Sequence, residues 1–319
     1  MKNSEIKQRG RPLLLEGIQA SLKRLNPRHE AVPVLSAKEF SLVAGISGED
    51  LLAKTLRKHK FPFEHNILHD LSLSAAPLFQ MDSLFLTRFY GIVFEAKNIA
   101  GRLEFKDDPP QLIRTRDTGE VDGFESPAAQ VERTGDLLEL WLRTKGIRIP
   151  IYRAVILAYP KQIVEKAPAE TPVFFPSHVA SFIQSLPRRK TLLDPHTFNQ
   201  LADILLTSHV PYIPRPVCEI YNIPRQDIRT GVICLRCGVI GMVKIKRSWR
   251  CASCGLLDHK AHERTVREWF LIMGREMTNR DCRKFLRVDM KTASRILRSM
   301  NLETIGSCRY RRYIMDLHK

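Results

Sequence analysis

The hydrophobic pattern in the first half of the chain predicts β-strands. Apolar residues dominate two neighbouring runs, residues 79–86 and 91–98, and the intervening turn favours a hairpin. A third apolar run, residues 151–159, is bounded by Pro150 and Pro160 and has the length of a buried strand. With the helical patterns around them, these runs predict a compact α/β region from about residue 36 to 165.

A helix is predicted between the second and third of these strands. Ser126 is a residue type that caps helices, and Pro127 suits the first helical position. The helical pattern continues to about Thr144 and stops before Gly146, which favours a helix end.

The segments on either side carry weaker patterns. Residues 106–124 are rich in Asp, Pro and Thr and predict a polar loop. Residues 166–215 predict a short strand and two helices. A proline-punctuated linker at residues 211–224 ends this half of the chain.

The last third predicts three helices and a hairpin. The first helix covers residues 262–274, and Thr278 with Asp281 resembles a capping box at the start of the second. Asp289 can cap the third, and residues 302–315 alternate as a hairpin would. The third helix has an apolar stripe of Ala293, Ile296, Leu297 and Met300. Its opposite face carries Lys291, Arg295 and Arg298.

The chain is strongly basic, and the charge is uneven. It contains 51 Lys and Arg against 34 Asp and Glu, a net charge of +17. Residues 234–319 hold 20 basic and 8 acidic residues, so 20 − 8 gives +12 in about a quarter of the chain. This excess favours nucleic acid as the partner, DNA first. A solubilising surface or a face that meets anionic lipid is the alternative.

Cysteine usage and hydropathy indicate a reducing compartment. Four of the seven cysteines form two Cys-x-x-Cys pairs, which fits a metal site better than a disulfide framework. No apolar run reaches the roughly 20 residues of a membrane span, and residues 13–15 are too short for a secretory signal. We therefore expect a cytoplasmic protein with no membrane partner.

Five polar or charged residues fall on faces that should point inward. Glu95 and Lys97 are two apart in one strand, so their side chains share a face, about 7 Å apart. Asp82 lies in the partner strand, where the hairpin can bring it beside Glu95. Gln130 and Glu49 each lie on the apolar face of a predicted helix.

This combination suits hydrolysis of a phosphodiester. Two carboxylates on adjacent strands can hold Mg²⁺ through oxygen ligands. The metal can activate a water and stabilise phosphate charge, and a nearby lysine can position the water. Each signal alone is weak, because a Glu-x-Lys pair is usually a solvated strand face or a salt bridge.

Four short motifs occur in a fixed order over residues 40–160. They are Gly48-Glu49, Gln80-Met81-Asp82, residues 91–98 with Gly101, and residues 126–130. This order resembles the signature of the NERD (nuclease-related) domain, which belongs to the PD-(D/E)XK nuclease superfamily. The resemblance covers about a third of the chain.

The resemblance implies a PD-(D/E)XK-like mixed central sheet flanked by helices. It also implies site roles. Asp82 and Glu95 would be the carboxylates that bind Mg²⁺ or Mn²⁺, and Lys97 the catalytic lysine. Glu49 would be the helix acid and Gln130 the supporting glutamine. Nuclease ancestry is implied more strongly than cleavage itself.

A four-cysteine motif follows. Cys234 and Cys237 form one knuckle and Cys251 and Cys254 the other, with thirteen residues between them. Four thiolates suit structural Zn²⁺, and the glycine after each pair lets backbone amides face the sulfurs. Residues 239–249 alternate as a β-hairpin would, so the motif resembles a zinc ribbon, with His259 and His262 as non-ligands. A redox pair or chance thiol pairs are the alternatives.

The C-terminal helices and hairpin resemble a winged helix-turn-helix. An apolar inner stripe with a basic outer stripe is what a recognition helix needs in the major groove. Arg309, Arg311 and Arg312 would lie on a wing that contacts phosphate. A small three-helix protein-interaction domain with a basic face is the alternative.

The sequence therefore predicts five parts. They are a basic arm (1–35), a NERD-like domain (36–165), a helical extension with a linker (166–228), a zinc ribbon (229–258) and a winged helix-turn-helix (259–319). The predicted function is a Mg²⁺-dependent DNA nuclease delivered by a C-terminal DNA-binding module. A non-catalytic DNA-binding or regulatory protein on a nuclease-derived scaffold is the alternative.

Overall fold

The computed structural model describes residues 4–159, 161–307 and 310–318. The chain forms two compact units. The first comprises Met1–Gly10 and Val43–Tyr212, and the second comprises Arg11–Leu42 and Ile213–Lys319. Part of the predicted N-terminal arm is thus grouped with the C-terminal third. The finer five-part division stays a prediction.

The secondary structure is mixed. The strands are β1 Ser4–Lys7, β2 His65–Ser74, β3 Leu78–Thr87, β4 Gly91–Lys97, β5 Arg102–Asp107, β6 Pro110–Thr115, β7 Val121–Glu125, β8 Ile151–Leu157, β9 Ile163–Lys166, β10 Val173–Phe174, β11 Val243–Lys244, β12 Trp249–Arg250, β13 Leu257–Asp258, β14 Glu303–Ile305 and β15 Arg312–Ile314. The helices are α1 Leu13–Arg24, α2 Ala31–Lys58, α3 Pro127–Thr144, α4 Val179–Ser185, α5 Pro195–Thr207, α6 Val217–Ile220, α7 Ala261–Ile272, α8 Asn279–Leu286 and α9 Met290–Ser299, with 3₁₀ turns at Pro176–His178 and Arg225–Asp227.

The described residues of the first unit build a six-stranded sheet in the order β1-β2-β3-β4-β8-β10. Strands β2, β3 and β4 are antiparallel neighbours, whereas β1, β8 and β10 add in parallel. Helix α3 packs on one face through Val131 and Leu138. The part of α2 in this unit packs on the other face through Leu52 and Leu56. This is the mixed α/β fold class predicted from the sequence.

Several element predictions in this unit are confirmed. The β3–β4 hairpin and strand β8 lie where the apolar runs placed them. Ser126 caps α3, accepting a hydrogen bond from the amide of Ala129, and the helix begins at Pro127 and ends at Thr144. Strand β2 was not predicted, although nearly all of its residues are buried.

The polar loop predicted for residues 106–124 is wrong. Most of this segment lies in β5, β6 and β7, which with β9 form a four-stranded sheet in the described part of the chain. Leu103 and Leu112 are buried. The ion pair Arg114–Asp122, at 2.6 Å, lies on the same face, because Arg114 is two residues from Leu112 and pairs with Leu103 across the ladder. Short strands that carry charged residues even on their buried face have the composition of a loop.

The second unit has its own core around Trp249, Trp269 and Phe285. Strands β11, β12 and β13 form a small antiparallel sheet. The guanidinium of Arg24 is fully buried, 2.5 Å from the carboxylate of Glu268 and 4.5 Å from the ring centre of Phe285. A buried arginine is tolerated because it has both a counter-charge and an aromatic face.

The element predictions for the C-terminal segment are confirmed. Thr278 and Asp281 form a reciprocal capping box at the start of α8. Asp289 caps α9, and β14 pairs with β15 as an antiparallel hairpin. Among the described residues, the helices all lack the combined length and apolar content that a bilayer crossing requires.

Candidate functional site

Strands β3 and β4 place Asp82 and Glu95 opposite each other. Their ladder pairs Leu84 with Val93 and Ser83 with Phe94. One step further along the same register, Asp82 faces Glu95. Because side chains alternate between the faces of a strand, both point to the face of Leu84 and Val93, on which α3 packs.

The carboxylate of Asp82 forms a hydrogen bond with β4 just beyond the last backbone pair of the β3–β4 ladder. Its Oδ2 accepts a hydrogen bond of 2.9 Å from the amide of Ala96. A side chain thus bonds to a strand amide beyond the last backbone pair. This bond fixes the Asp82 carboxylate beside β4.

Lys97 links the strand to helix α3. Its Nζ donates to Oε1 of Glu95 at 2.6 Å and to Oε1 of Gln130 at 3.0 Å. Gln130 lies in the first turn of α3, which Ser126 caps. The structure therefore brings Asp82, Glu95, Lys97 and Gln130 together on one face.

Glu49 approaches this group from α2. Gly48 allows the approach, because a Cβ at this position would lie 2.9 Å from the Cβ of Asn98 and 3.2 Å from that of Ala158. Asn98 also donates from Nδ2 to the carbonyl of Ala44 at 2.8 Å. Helix α2 thus lies so close to the ends of β4 and β8 that position 48, just before Glu49, has room only for glycine.

Two neighbours of the cluster were missed by the sequence analysis. Nη1 of Arg9 lies 2.5 Å from Oε2 of Glu49. Asp70, which has a left-handed φ of 53°, accepts from the amide of Gly10 at 3.2 Å and from Nε2 of Gln80 at 2.7 Å. Asp70 could have been found from the sequence, because it is the one acidic residue in the largely apolar run 65–74. Nothing in the local pattern pointed to Arg9.

The cluster is rich in carboxylic acids, and their pKa values are raised. Burial, and then the charge of Asp82, raise the pKa of Glu49 to about 8. The same two causes raise the pKa of Glu95 to about 7. Burial also raises the pKa of Asp82, although the Ala96 amide opposes it. Burial lowers the pKa of Lys97, but the carboxylates around it outweigh burial and the net shift is upward.

Burial is the largest cause of the upward pKa shifts of Glu49 and Glu95 and the charge of Asp82 is the second, against which Arg9 acts on Glu49 and Lys97 acts on Glu95. A divalent cation bound by oxygen ligands would relieve the repulsion. Among the described residues, only the four cysteines bring three or more potential ligand atoms of Cys, His, Asp or Glu within 4.8 Å of one another. The described acids do not bring three ligand atoms that close together, so a cation here would be held by one or two carboxylates, as Mg²⁺ often is, with waters and phosphates completing the shell.

The four cysteines form the second site. The Sγ atoms of Cys234 and Cys254 are 3.5 Å apart, and so are those of Cys237 and Cys251. Zn–S bonds of about 2.3 Å in a tetrahedron separate the sulfurs by about 3.8 Å. The cluster thus fits a zinc ribbon, and the small β11-β12-β13 sheet supplies the predicted hairpin.

The thiols of the cluster have different surroundings. Backbone amides, that of Cys254 first, lower the pKa of Cys251 to about 6. The Leu256 amide also lowers the pKa of Cys254, but burial and the other three sulfurs outweigh it and raise that pKa to about 11. His262 accepts a 3.2 Å hydrogen bond from Nε1 of Trp249, and His259 bonds the carbonyl of Arg247. Both histidines lie outside the four-cysteine group.

The predicted DNA-binding residues differ in their exposure to solvent. Ala293, Ile296 and Leu297 are buried. The basic stripe of α9 is exposed throughout, at Lys291, Arg295 and Arg298. On the C-terminal hairpin, Arg311 is half-buried, and Nη1 of Arg312 lies 2.5 Å from the carboxylate of Glu276. Arg309 lies outside the described residues.

Comparison with known proteins bears on the first unit. Residues 44–158 match the family model of the nuclease-related domain, NERD. The matched range contains Glu49, Asp82, Glu95, Lys97 and Gln130, and it is consistent with a PD-(D/E)XK-like fold. No curated protein matched the chain, and no solved structure did.

Proposed function

We propose that the first unit is a metal-dependent nuclease that hydrolyses DNA. The observation that carries this proposal is the placement of Asp82 opposite Glu95, with Lys97 bonded to Glu95 at 2.6 Å. The match to the nuclease-related domain over residues 44–158 supports it.

Asp82 and Glu95 would hold Mg²⁺ or Mn²⁺. When bound there, the cation supplies an activated water and offsets charge on the phosphodiester. The acids suit this role because they are oxygen donors, with Glu95 buried and Asp82 half-buried.

The other residues of the cluster have separate tasks. Lys97 carries a permanent positive charge at neutral pH and places it beside Glu95, where it can bind a phosphate oxygen or orient a water. Gln130 holds the lysine in that position through its Oε1 at 3.0 Å. Glu49, with a pKa near 8, can carry a proton at neutral pH and donate or accept it as the reaction proceeds.

The second unit would deliver the nuclease to DNA. We propose that the four cysteines bind Zn²⁺, and that α7, α8, α9 and the β14–β15 hairpin act as a winged helix-turn-helix. Helix α9 would enter the major groove with Lys291, Arg295 and Arg298 outward. Arg311 and Arg309 would contact phosphate from the hairpin, and Arg312 would first have to leave Glu276.

One observation favours the second candidate, a non-catalytic DNA-binding protein. Arg9 already supplies a cation to the acidic cluster through Glu49. Such a cluster can persist as a scaffold without a bound metal. Titration with Mg²⁺ and Mn²⁺ separates the candidates, since binding that depends on Asp82 and Glu95 is expected only of the nuclease.

The direct test is cleavage of plasmid DNA in the presence of Mg²⁺. Asp82→Asn is the informative variant, because its amide oxygen can still accept the bond from Ala96 while the ligand charge is lost. Asp117→Asn is the matched control, an exposed acid of the same unit. We expect nicking by the wild type and the control, and at least a hundredfold loss in Asp82→Asn, on the order of the effect of a lost catalytic group. Equal nicking by all three proteins would sink the assignment.

A further inference from the structure

A groove of about 820 Å³ runs within the second unit, between the ribbon and helix α9. One wall is the segment 241–246, which contains β11. The other wall is the segment 286–299, which contains α9. Buried apolar side chains, including Met242 and Ile296, contribute to the lining.

The groove is strongly cationic. Its charged lining residues are Lys244, Lys246, Arg287, Arg295 and Asp289. Four cations and one carboxylate give 4 − 1, a net charge of +3. The carboxylate of Asp289 is engaged in capping α9, where it accepts from the amide and hydroxyl of Thr292 at 3.0 and 2.6 Å.

Each wall of the groove carries a cation close enough to influence the other. Lys244 stands on the ribbon wall and Arg295 on the helix wall. Burial, and then the charge of Arg295, lower the pKa of Lys244. Nζ of Lys244 donates to the carbonyls of Ile245 and Ser248 at 3.0 and 3.3 Å, so it gains no counter-charge.

The ion pairs of this unit lie outside the groove. In the described part of the unit, carboxylates pair with Arg24, Arg264, Arg267 and Arg312, and one lies 3.2 Å from Nε2 of His29. None of the four groove cations takes part in those pairs. A polyanion entering the groove would therefore meet cations that have no acidic partner to give up.

We propose that the groove holds the sugar–phosphate backbone of the DNA that α9 contacts, so that ribbon and helix grip one strand from two sides. This inference rests on the DNA-binding function proposed above. Arg295 connects the two surfaces, because it lies on the exposed basic stripe of α9 and also lines the groove.

The lining chemistry fits contact with the DNA backbone. Lysine and arginine side chains neutralise phosphate charge, and the described lining residues include none of the Asn or Gln side chains that pair with adenine edges. Phosphate contacts fix the position of a protein on the duplex without reading its sequence. The ribbon would then add affinity and register, while α9 reads the bases.

The test measures binding of the full chain to a 20-base-pair duplex by fluorescence anisotropy over a range of salt concentrations. Lys246→Ala is the first variant, because Lys246 is exposed. Arg287→Ala is the second, and Lys23→Ala, an exposed lysine of α1 outside the groove, is the control. A zinc measurement on each protein verifies that the ribbon is intact.

We expect each groove variant to weaken binding about fivefold to tenfold at 0.1 M salt, equally for unrelated duplex sequences. The slope of log affinity against log salt should fall by about one for each cation removed. The control should keep both values.

The outcomes separate this inference from the proposed function. Wild-type protein that binds no duplex at low salt would overturn both. Wild-type binding with unchanged affinity and salt slope in Lys246→Ala and Arg287→Ala would overturn the groove alone. Polyglutamate that competes as well as DNA at equal charge would also overturn the backbone assignment, because it would mark the groove as a site for acidic protein.

Discussion

Nη1 of Arg9 lies 2.5 Å from Oε2 of Glu49, so a residue near the start of the chain supplies a cation to the acidic cluster. Its charge lowers the pKa of Glu49 against the larger effects of burial and Asp82. Arg9 and a bound metal ion would therefore compete for the same negative charge.

Replacing Arg9 should strengthen metal binding. We expect Arg9→Gln to bind Mg²⁺ roughly tenfold more tightly at pH 9, on the order of one partly screened charge–charge interaction. Isothermal titration calorimetry measures the change, and Arg11→Gln, an exposed arginine two residues on, is the control. Equal or weaker binding by Arg9→Gln would show that the guanidinium does not compete with the metal.

Gly48 should be intolerant of a side chain, in contrast to Gly45 of the same helix. A Cβ on Gly48 meets Asn98 at 2.9 Å, whereas one on Gly45 meets nothing within 4 Å. We expect Gly45→Ala to raise the free energy of unfolding by about 1 kcal/mol through helix propensity. Gly48→Ala should gain the same propensity but lose about 1–3 kcal/mol to overpacking.

Urea unfolding of the two variants gives the comparison. Equal stabilisation by both alanines would contradict the close approach of α2 to β4. Metal binding by Gly48→Ala adds a second measurement, because a shift of the helix would also move Glu49 away from the cluster.

His69 should make the protein sensitive to acid. Burial lowers the pKa of His69 to about 4, although the charge of Glu5 opposes the shift. The unfolded chain therefore binds a proton near pH 6.5 that the folded chain refuses until about pH 4. The stabilising contribution is complete above pH 6.5 and is lost as the pH falls to 4, up to about 3 kcal/mol.

The measurement compares wild type with His69→Asn by urea unfolding from pH 4 to pH 7. Asparagine preserves a polar atom where Nδ1 bonds the hydroxyl of Ser83 at 2.7 Å. The stability difference between the two proteins should shrink as the pH falls. A difference that stays constant with pH would contradict the assignment, and His59→Asn, which alters an exposed histidine, controls for general effects.

Zinc binding should depend on the four cysteines of the ribbon. We expect one zinc per wild-type chain, and none in Cys251→Ser, because three thiolates and a hydroxyl bind the ion far less well. Elemental analysis gives the stoichiometry. Cys218→Ala, which alters a buried cysteine outside the four-sulfur group, should keep its zinc. Zinc retained by Cys251→Ser would contradict the ligand set.

Sequence and structure agree most closely where the signal was local. The capping box of Thr278 and Asp281 involves residues three apart, and the apolar runs of β3 and β4 are separated by one short turn. Such features depend on a few neighbouring residues, so spacing alone identifies them. The loop prediction for residues 106–124 was wrong because the strands of this segment form only when Leu103 and Leu112 pack together on a shared face.

Chain order and residue type by themselves determined the hairpin that aligns Asp82 with Glu95, the two cysteine knuckles, and the opposed stripes of α9. Only the tertiary structure decided that Arg9 meets Glu49, that Asp70 joins the acidic cluster, and that Lys244 faces Arg295 across a groove. The physical reason is distance along the chain. Local geometry follows from the short-range periodicity of strands and helices, whereas contacts between remote charges exist only after the apolar faces of separate elements have packed and set their positions.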